Sequence, residues 1–421
     1  MVSLKAFQKK HLVVTVTFFI VVGIICITTL NNTATAYGFK DDSLAQPEKV
    51  KDLANRINDF SISLYREIIQ KESGNIFFSP LSIEFALVIA YEGAKGKTKE
   101  EMERVLNLPS NETARRSSFA RIFNLLNKNG EYELSLANAL WIQKGYPILE
   151  EYRKTIERYY PADVYRVDFV NDPDGAVSEI NEWVSERTKG KINKILNGVS
   201  RMTRVIITNA IYFKGKWLHQ FEKSKTQLME FYVTKDKAVK VQMMHTKEEF
   251  PYTETKDFQL LEMPYKGNEI SMIVILPKKV DGLKNIEEKI NASLLRSLLS
   301  KLSEREVIVY FPKFKFEKEY DIAGYLQKMG MKYAFEPGLA DFSGISGRKD
   351  IFISKIKHKA YVKVDEEGTE AAAATVVVGV MGAVPVRETI FRADHPFIFF
   401  IIDKRTGVIL FMGRVVNPVK G

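Results

Sequence analysis

The segment from Ile356 to Val378, IKHKAYVKVDEEGTEAAAATVVV, constrains the fold of this 421-residue chain more than any other stretch. Its first half alternates residue by residue, which predicts a long strand with one buried face. The predicted buried side chains are Ile356, His358, Ala360, Val362 and Val364. Gly368 allows a bend, and beyond it small uncharged side chains continue the two-residue period. This second half suits a half-buried strand, but its alanine tract also tolerates a loop or a helix.

Helical patterns come early in the chain and strand patterns come later. Apolar residues recur at helical spacing from Val50 to Ile68, and Ser79 before a proline has the sequence of a helix start. Thr98, followed three residues later by a glutamate, predicts a capping box. Val205–Phe213 is predicted to be a central strand buried on both faces, and Ile286–Leu302 a helix. This order predicts an α+β fold with antiparallel or mixed sheets.

The N-terminal 36 residues have the order of an export signal. Three lysines precede an uncharged, largely apolar run at residues 12–30, and Ala34-Thr35-Ala36 follows it as a cleavage site of small residues. The run approaches the ~20 residues that a membrane-spanning helix needs, so an uncleaved N-terminal anchor is the alternative. We therefore expect residues 1–36 to be a signal peptide or a membrane anchor. The folded part would be extracellular, either secreted or anchored facing outward.

Beyond this signal, residues 37–49 are predicted to be a linker and residues 50–421 a single domain. The formal net charge is +10, and removal of the three lysines in the signal would lower it to +7. The excess is dispersed and not interleaved with aromatic residues, which favours the surface of a soluble protein over nucleic-acid binding. Cys26 is the single cysteine and lies in the apolar run, so no disulfide is expected in the exported chain. Abundant lysine, glutamate and isoleucine suit a thermostable protein.

Motifs of common hydrolases are missing from the sequence. It contains no Gly-x-Ser-x-Gly elbow, no His-Glu-x-x-His and no paired cysteines. The stretch EGAKGKT is similar to a phosphate loop, but only two residues separate its glycines where that loop needs four. Five histidines are scattered without the spacing of metal ligands, so neither a metal nor another cofactor is expected. The sequence favours a protein that is not an enzyme, although a dispersed Ser/His/Asp triad leaves no local signature.

Five stretches of the chain match motifs that occur together in one protein family. They are NIFFSPLSI at 75–83, TNAIYFKGKW at 208–217, EEGTEAAAAT at 366–375, FRADHPFIFF at 391–400 and GVILFMGRVVNP at 407–418. Together they resemble the serpins, and the resemblance runs from about Val50 to Pro418. It implies a prokaryotic inhibitory serpin with helices packed on three mostly antiparallel or mixed sheets. It also implies an exposed reactive-centre loop at residues 366–392.

The resemblance implies two clusters of side chains at the main sheet. In serpins, one cluster, the shutter, lies beneath the middle of that sheet where two central strands part. The matching residues here are Ser79, Ser82, Asn209 and His358. A second cluster, the breach, lies where the loop enters the sheet, and it matches Trp217 and Glu366 with Lys313 as the ionic partner of Glu366. From the residues alone, Ser79 is a helix cap, and Asn138 in the apolar register of a strand needs a hydrogen-bond partner.

The same resemblance assigns a hinge and a reactive bond to the loop. The hinge residues are Glu366, Gly368, Thr369, Glu370, Ala371, Ala372, Ala373, Ala374 and Thr375. Family spacing counted from Glu366 places the reactive bond between Gly382 and Ala383. The bond one residue earlier, Met381–Gly382, offers a side chain to a protease pocket, so both bonds stay open. Either bond favours a subtilisin-, chymotrypsin- or elastase-like protease over a trypsin-like one.

These features predict a suicide-substrate inhibitor of serine proteases. The resemblance implies that a target protease cleaves the loop and is trapped as a covalent acyl complex when the cleaved segment inserts into the central sheet. We expect a metastable monomer that binds no nucleic acid and no metal. The alternative is a non-inhibitory serpin-fold chaperone or ligand carrier. Such proteins usually have bulky, charged or proline residues in the hinge, whereas the inward positions from Thr369 to Thr375 are small and uncharged.

Overall fold

Helices dominate the first part of the chain, as the sequence predicts. The structure is a computed structural model that describes residues 37–128, 130–369 and 388–420. Its helices are α1 (Pro47–Ile69), α2 (Pro80–Gly93), α3 (Gly96–Val105), α4 (Glu112–Leu126), α5 (Glu150–Tyr159), α6 (Pro173–Arg187), α7 (Leu283–Lys289), α8 (Ala292–Leu299), α9 (Ala323–Lys328) and α10 (Ser343–Ser346). Ser79 caps α2 as predicted, because its side chain accepts a hydrogen bond from the Ser82 backbone N–H. The apolar run at residues 12–30 lies outside the described residues, and none of the described helices is both long and apolar enough to cross a membrane.

Strands follow the early helices. They are β1 (Ile76–Phe78), β2 (Tyr132–Gln143), β3 (Asp163–Val167), β4 (Val205–Lys216), β5 (Gln227–Thr234), β6 (Lys237–Glu254), β7 (Phe258–Pro264), β8 (Ile270–Pro277), β9 (Ser303–Pro312), β10 (Phe314–Asp321), β11 (Ile353–Asp365), β12 (Gly368–Thr369), β13 (Thr389–Arg392), β14 (Phe397–Asp403) and β15 (Ile409–Val415). The alternating segment of the sequence forms β11, in which buried and half-buried residues alternate as predicted. The predicted central strand forms β4, which is buried along nearly its whole length.

The described strands form two sheets. The smaller sheet has the order β10-β11-β12-β4-β2-β3, and the larger has the order β1-β15-β14-β8-β7-β6-β9-β13 with β5 beside β6. The resemblance implies three sheets, but the 18-residue β6 runs unbroken from its pairing with β5 to its pairing with β7, which joins two of them. The predicted α+β class is confirmed. Helix α2 packs against β2 and β4 of the smaller sheet and β15 of the larger, so the core lies around it.

Three local predictions differ from the structure. The Thr98 hydroxyl does not cap α3 but accepts the Asp341 backbone N–H at 3.0 Å, and Glu101 accepts the Lys332 backbone N–H at 2.7 Å. The predicted helix Ile286–Leu302 divides into α7 and α8, because Asn291 is extended and caps α8. Helix α1 begins at Pro47, inside the predicted linker, because proline is well placed at a first helical position.

Part of the predicted linker is attached to the folded body. The Lys40 backbone N–H donates to Asn124 Oδ1 at 2.9 Å, and the Asp41 carboxylate pairs with Arg158 at 2.5 Å. Contacts place the chain from Phe39 onward in one compact unit.

Glu84 of α2 is fully buried, and neither of its carboxylate oxygens has a hydrogen-bond partner in the described part of the chain. Burial raises the pKa of this carboxyl well above its ordinary value. The folded protein therefore holds a proton on Glu84 at pH values where the unfolded chain releases it, so this group makes stability fall as the pH rises above the ordinary glutamate range.

Glu84→Leu is expected to raise the free energy of unfolding at pH 8 by about 1–3 kcal/mol, because it removes a buried polar group without partners. Glu84→Gln keeps the side-chain shape but cannot titrate, and its gain over the unaltered protein should grow between pH 5 and pH 8. Denaturant unfolding at the two pH values measures both effects. A gain for Glu84→Gln that does not change with pH would contradict the assignment.

Candidate functional site

The smaller sheet contains a seam, defined here as the boundary between β4 and β11. The two strands pair in parallel from the start of β4 up to Tyr361 opposite Tyr212. Above these tyrosines, β12 lies between the strands, and its residues Gly368 and Thr369 pair antiparallel with β11 on one side and with β4 on the other. The first residues of the hinge therefore already form a strand within the seam.

Gly368 occupies a position that no larger residue fits. Its φ is +154°, and a Cβ atom there would lie 2.0 Å from the Gly215 carbonyl oxygen and 2.7 Å from the Lys216 Cα. Only glycine allows the backbone to approach β4 this closely. The chain can therefore turn from the end of β11 into the seam within a few residues.

Thr369 is held in the seam by a buried aromatic pair. It is 1% exposed, and its hydroxyl oxygen lies 2.7 Å from the Tyr265 phenol oxygen. The Tyr265 ring stacks on the Trp217 ring with centroids 4.6 Å apart. Trp217 Nε1 donates to the Asp365 carbonyl at 3.0 Å, so the pair contacts the turn on both sides. Sequence reasoning missed Tyr265, because a tyrosine that follows a strand carries no signal for this contact.

The predicted partners Lys313 and Glu366 meet at the top of the seam. Lys313 Nζ lies 2.8 Å from Glu366 Oε2 and 2.9 Å from Oε1, and the Thr226 hydroxyl donates to Oε1 at 2.8 Å. Burial raises the pKa of the Glu366 carboxyl, but the hydrogen bonds from Lys313, the backbone and Thr226 outweigh burial and hold that pKa below its ordinary value. Glu366 is therefore a buried, paired carboxylate.

Lys313→Met is expected to lower the free energy of unfolding by about 1 kcal/mol, because it leaves the buried Glu366 carboxylate without its cation. The effect stays modest because the Lys313 side chain is 35% exposed and solvent screens the pair. Lys223→Met is the matched control, since Lys223 pairs with the neighbouring Glu367 at 2.6 Å but is 60% exposed. Denaturant unfolding should show a smaller loss of unfolding free energy for Lys223→Met than for Lys313→Met. Equal losses would contradict the larger contribution assigned to Lys313.

The four shutter residues meet beneath the seam and are fully buried. The Ser79 backbone N–H donates to His358 Nε2 at 3.1 Å, and the Ser79 hydroxyl donates to the Leu410 carbonyl at 2.6 Å. Asn209 Nδ2 donates to the Ser82 carbonyl at 2.9 Å, and Asn209 Oδ1 lies 2.5 Å from His358 Nδ1. Because Nε2 accepts a hydrogen bond, Nδ1 carries the proton and donates to Asn209. The cluster links β4 and β11 across the seam and joins both to the start of α2.

Asn138 belongs to the same cluster. It lies opposite Asn209 in the pairing of β2 with β4, and its Oδ1 accepts from Asn209 Nδ2 and, at 3.4 Å, from the Ser82 hydroxyl. Its Nδ2 donates to the Pro161 carbonyl at 3.2 Å. The position of Asn138 in the apolar register of a strand predicted that its amide has a hydrogen-bond partner. The pattern did not indicate which residue that partner is.

The rest of the hinge and the reactive bond lie outside the described residues. These are Glu370, Ala371, Ala372, Ala373, Ala374 and Thr375 of the hinge and Met381, Gly382 and Ala383 at the bond. The described chain resumes at Glu388, and β13 pairs in parallel with β9 of the larger sheet. In the described part, no group of three or more His, Cys, Asp or Glu side chains is placed to hold a metal ion.

Known proteins are similar to this chain in sequence and in fold. Residues 55–418 match the family described as Serpin (serine protease inhibitor). A serpin-like protein of Thermococcus kodakarensis is 45% identical over 376 residues, which are 88% of this chain and 87% of that protein. The leukocyte elastase inhibitor of Equus caballus is 39% identical over 381 residues, which are 88% of this chain and 100% of the inhibitor.

Solved serpin structures have a similar fold. Serpin48 of the insect Tenebrio molitor, described as a highly specific serpin, matches with a TM-score of 0.79 and 35% sequence identity over 87% of this chain and 98% of its own. The family match spans most of the chain and includes the described strands on both sides of the seam. This chain therefore belongs to the serpin family.

Proposed function

We propose that this protein is a suicide-substrate inhibitor of serine proteases. The observation that supports the proposal is β12, in which Thr369 already pairs with both central strands. A protease that cleaves the loop further along would free the N-terminal part of the loop to extend β12 down the seam. The acyl-enzyme would be carried with this segment, and its distortion would delay hydrolysis of the ester.

The register of β12 fits the length of the loop. Thr369 pairs with Gly215, and Val205 at the start of β4 is ten residues before Gly215. A strand that continued in register would therefore place Gly379, ten residues after Thr369, opposite Val205. A bond after Met381 or Gly382 would lie just beyond the far end of the sheet. With a net ~1 kcal/mol per added backbone hydrogen bond, insertion would release on the order of 10 kcal/mol.

Incubation with subtilisin, chymotrypsin and elastase tests the proposal. We expect a complex of inhibitor and protease that survives boiling in detergent. Mass spectrometry should find a released C-terminal fragment that begins at Gly382 or Ala383. Trypsin is the control protease, because Arg387, the first basic residue of the loop beyond the hinge, lies downstream of both bonds. Cleavage by every protease without a covalent complex would contradict inhibition and favour the non-inhibitory alternative.

Cleaved protein is expected to melt at a higher temperature than intact protein. The inserted segment would add hydrogen bonds along both of its edges, and for a chain of this size the rise should be on the order of 10 °C or more. Differential scanning calorimetry of the two forms measures it. Equal melting temperatures would show that cleavage releases no stored free energy, and the proposed mechanism would fail.

We also propose that the protein acts as an extracellular monomer, either secreted or anchored facing outward. The charged, apolar and small-residue regions of residues 1–36 support this location. Mass spectrometry of the exported protein tests it, since a chain that begins after Ala36 is secreted and a chain that keeps residues 12–30 is anchored.

A further inference from the structure

Two tyrosines lie where the seam closes below β12. Tyr361 of β11 and Tyr212 of β4 are directly opposed, and theirs is the last pair of the β4–β11 ladder before β12 begins. Their ring centroids are 6.4 Å apart, and Tyr212 is buried. The two rings therefore meet across the seam at its point of opening.

The tyrosines and the shutter lie on opposite faces of the sheet. Successive side chains of a strand point to alternate faces, so Tyr212 and Asn209, three residues apart, point to different faces. Thr208, on the same face as Tyr212, accepts a hydrogen bond from Trp141 Nε1 at 2.8 Å. Trp141 packs in the cluster that includes Ile180 of α6. The shutter thus bridges the seam on the α2 face, and the tyrosines bridge it on the α6 face.

A lysine lies over each ring. Lys191 Nζ is 5.6 Å from the Tyr212 ring centroid, and Lys315 Nζ is 5.5 Å from the Tyr361 ring centroid. Lys191 follows α6, which packs on the β4 side of the seam, and Lys315 belongs to β10, which pairs with β11. Each ring therefore has a lysine ammonium within cation–π distance.

We propose that Tyr212 and Tyr361 form a clasp, a pair of positioning residues whose separation limits the rate of loop insertion. This inference rests on the proposed function. If a strand extended β12 in register, its pairing with β4 would place Ala372 opposite Tyr212. Its pairing with β11 would place the same residue opposite Tyr361. The clasp is thus the first paired contact of the seam that the entering strand must break.

The rate at which the protein takes up a free peptide tests the clasp without a protease. The probe is a dodecapeptide with the sequence of residues 370–381, EAAAATVVVGVM, added to the intact protein, and native gel electrophoresis follows its uptake. Tyr361→Leu and Tyr212→Leu should each speed uptake about 2- to 10-fold, which is the change in rate expected when the free energy of one aromatic pair is lost. The double variant should be no faster than the faster single variant, because either change removes the same contact. Tyr361→Phe keeps the ring and should retain the original rate.

Tyr165→Leu is the matched control. Tyr165 stacks on Trp141 with centroids 4.8 Å apart, but this pair joins β2 to β3, which do not part during insertion. The control should leave the uptake rate unchanged even if it lowers stability.

The outcomes separate the clasp from the proposed function. Unchanged rates in both leucine variants, or equal acceleration in Tyr165→Leu, would overturn the clasp alone. If the unaltered protein takes up no peptide, the seam does not open to a free strand and the clasp fails, whereas the proposed function is decided separately by the covalent complex with a protease.

Discussion

Under the proposed mechanism, Thr369→Arg is expected to convert the protein from an inhibitor into a substrate of the protease. Thr369 already lies between two strands of the intact protein and is 1% exposed, so an arginine there would bury a charge without a partner and would drive β12 out of the seam. Insertion would then have to begin by burying that charge, which costs about 3–5 kcal/mol and corresponds to insertion slower by a factor on the order of 100 to 5000. Hydrolysis of the acyl-enzyme would then occur before the segment enters the seam.

The number of inhibitor molecules consumed per inactivated protease measures this change. Thr369→Ser is the control, because it keeps the hydroxyl that faces Tyr265. We expect the serine variant to form the covalent complex and the arginine variant to yield cleaved protein. Equal yields of complex from both variants would show that Thr369 need not lie in the sheet during inhibition.

Acidification from pH 7 to pH 5 is expected to remove about 2 kcal/mol of stability through His358 alone. Burial lowers the pKa of His358 from its ordinary 6.5 to about 3. The unfolded imidazole takes up a proton below pH 6.5, whereas the folded one does so only near pH 3. Unfolding therefore binds a proton across this window, and stability falls as the pH falls. Nε2 also accepts the Ser79 N–H at 3.1 Å, so a proton on Nε2 would break that hydrogen bond.

His358→Gln separates this effect from the titration of other groups. A glutamine amide can replace the hydrogen bonds to Ser79 and Asn209 but does not titrate. Denaturant unfolding between pH 7 and pH 5 should show a loss that is about 2 kcal/mol smaller for His358→Gln than for the unaltered protein. Parallel losses in the two proteins would mean that His358 does not set the acid sensitivity.

Sequence patterns predicted the elements whose signals are local. Alternation predicted β11, a run that is apolar except for Thr208 and Asn209 predicted β4, and a serine before a proline predicted the start of α2. The pairing of Lys313 with Glu366 came from the family resemblance, because 53 residues separate them and no spacing rule connects them. The α+β class followed from the order of the elements.

Contacts between distant segments account for what the sequence did not predict. Thr98 and Glu101 had the spacing of a capping box, but both side chains bind the backbone of a segment more than 200 residues away. The contacts of Asn138 and Tyr265 likewise depend on which strands are neighbours. Local patterns cannot report such neighbours, so the residues around the seam needed the structure.

The two outer ladders beside the seam would make insertion under the proposed mechanism irreversible. β4 pairs with β2 and β11 pairs with β10 on the sides away from the seam, so the seam would open by breaking one ladder, that between β4 and β11. A strand bonded along both edges could leave only if two ladders broke together. Each molecule would therefore act once, and its supply would depend on new synthesis and not on recycling.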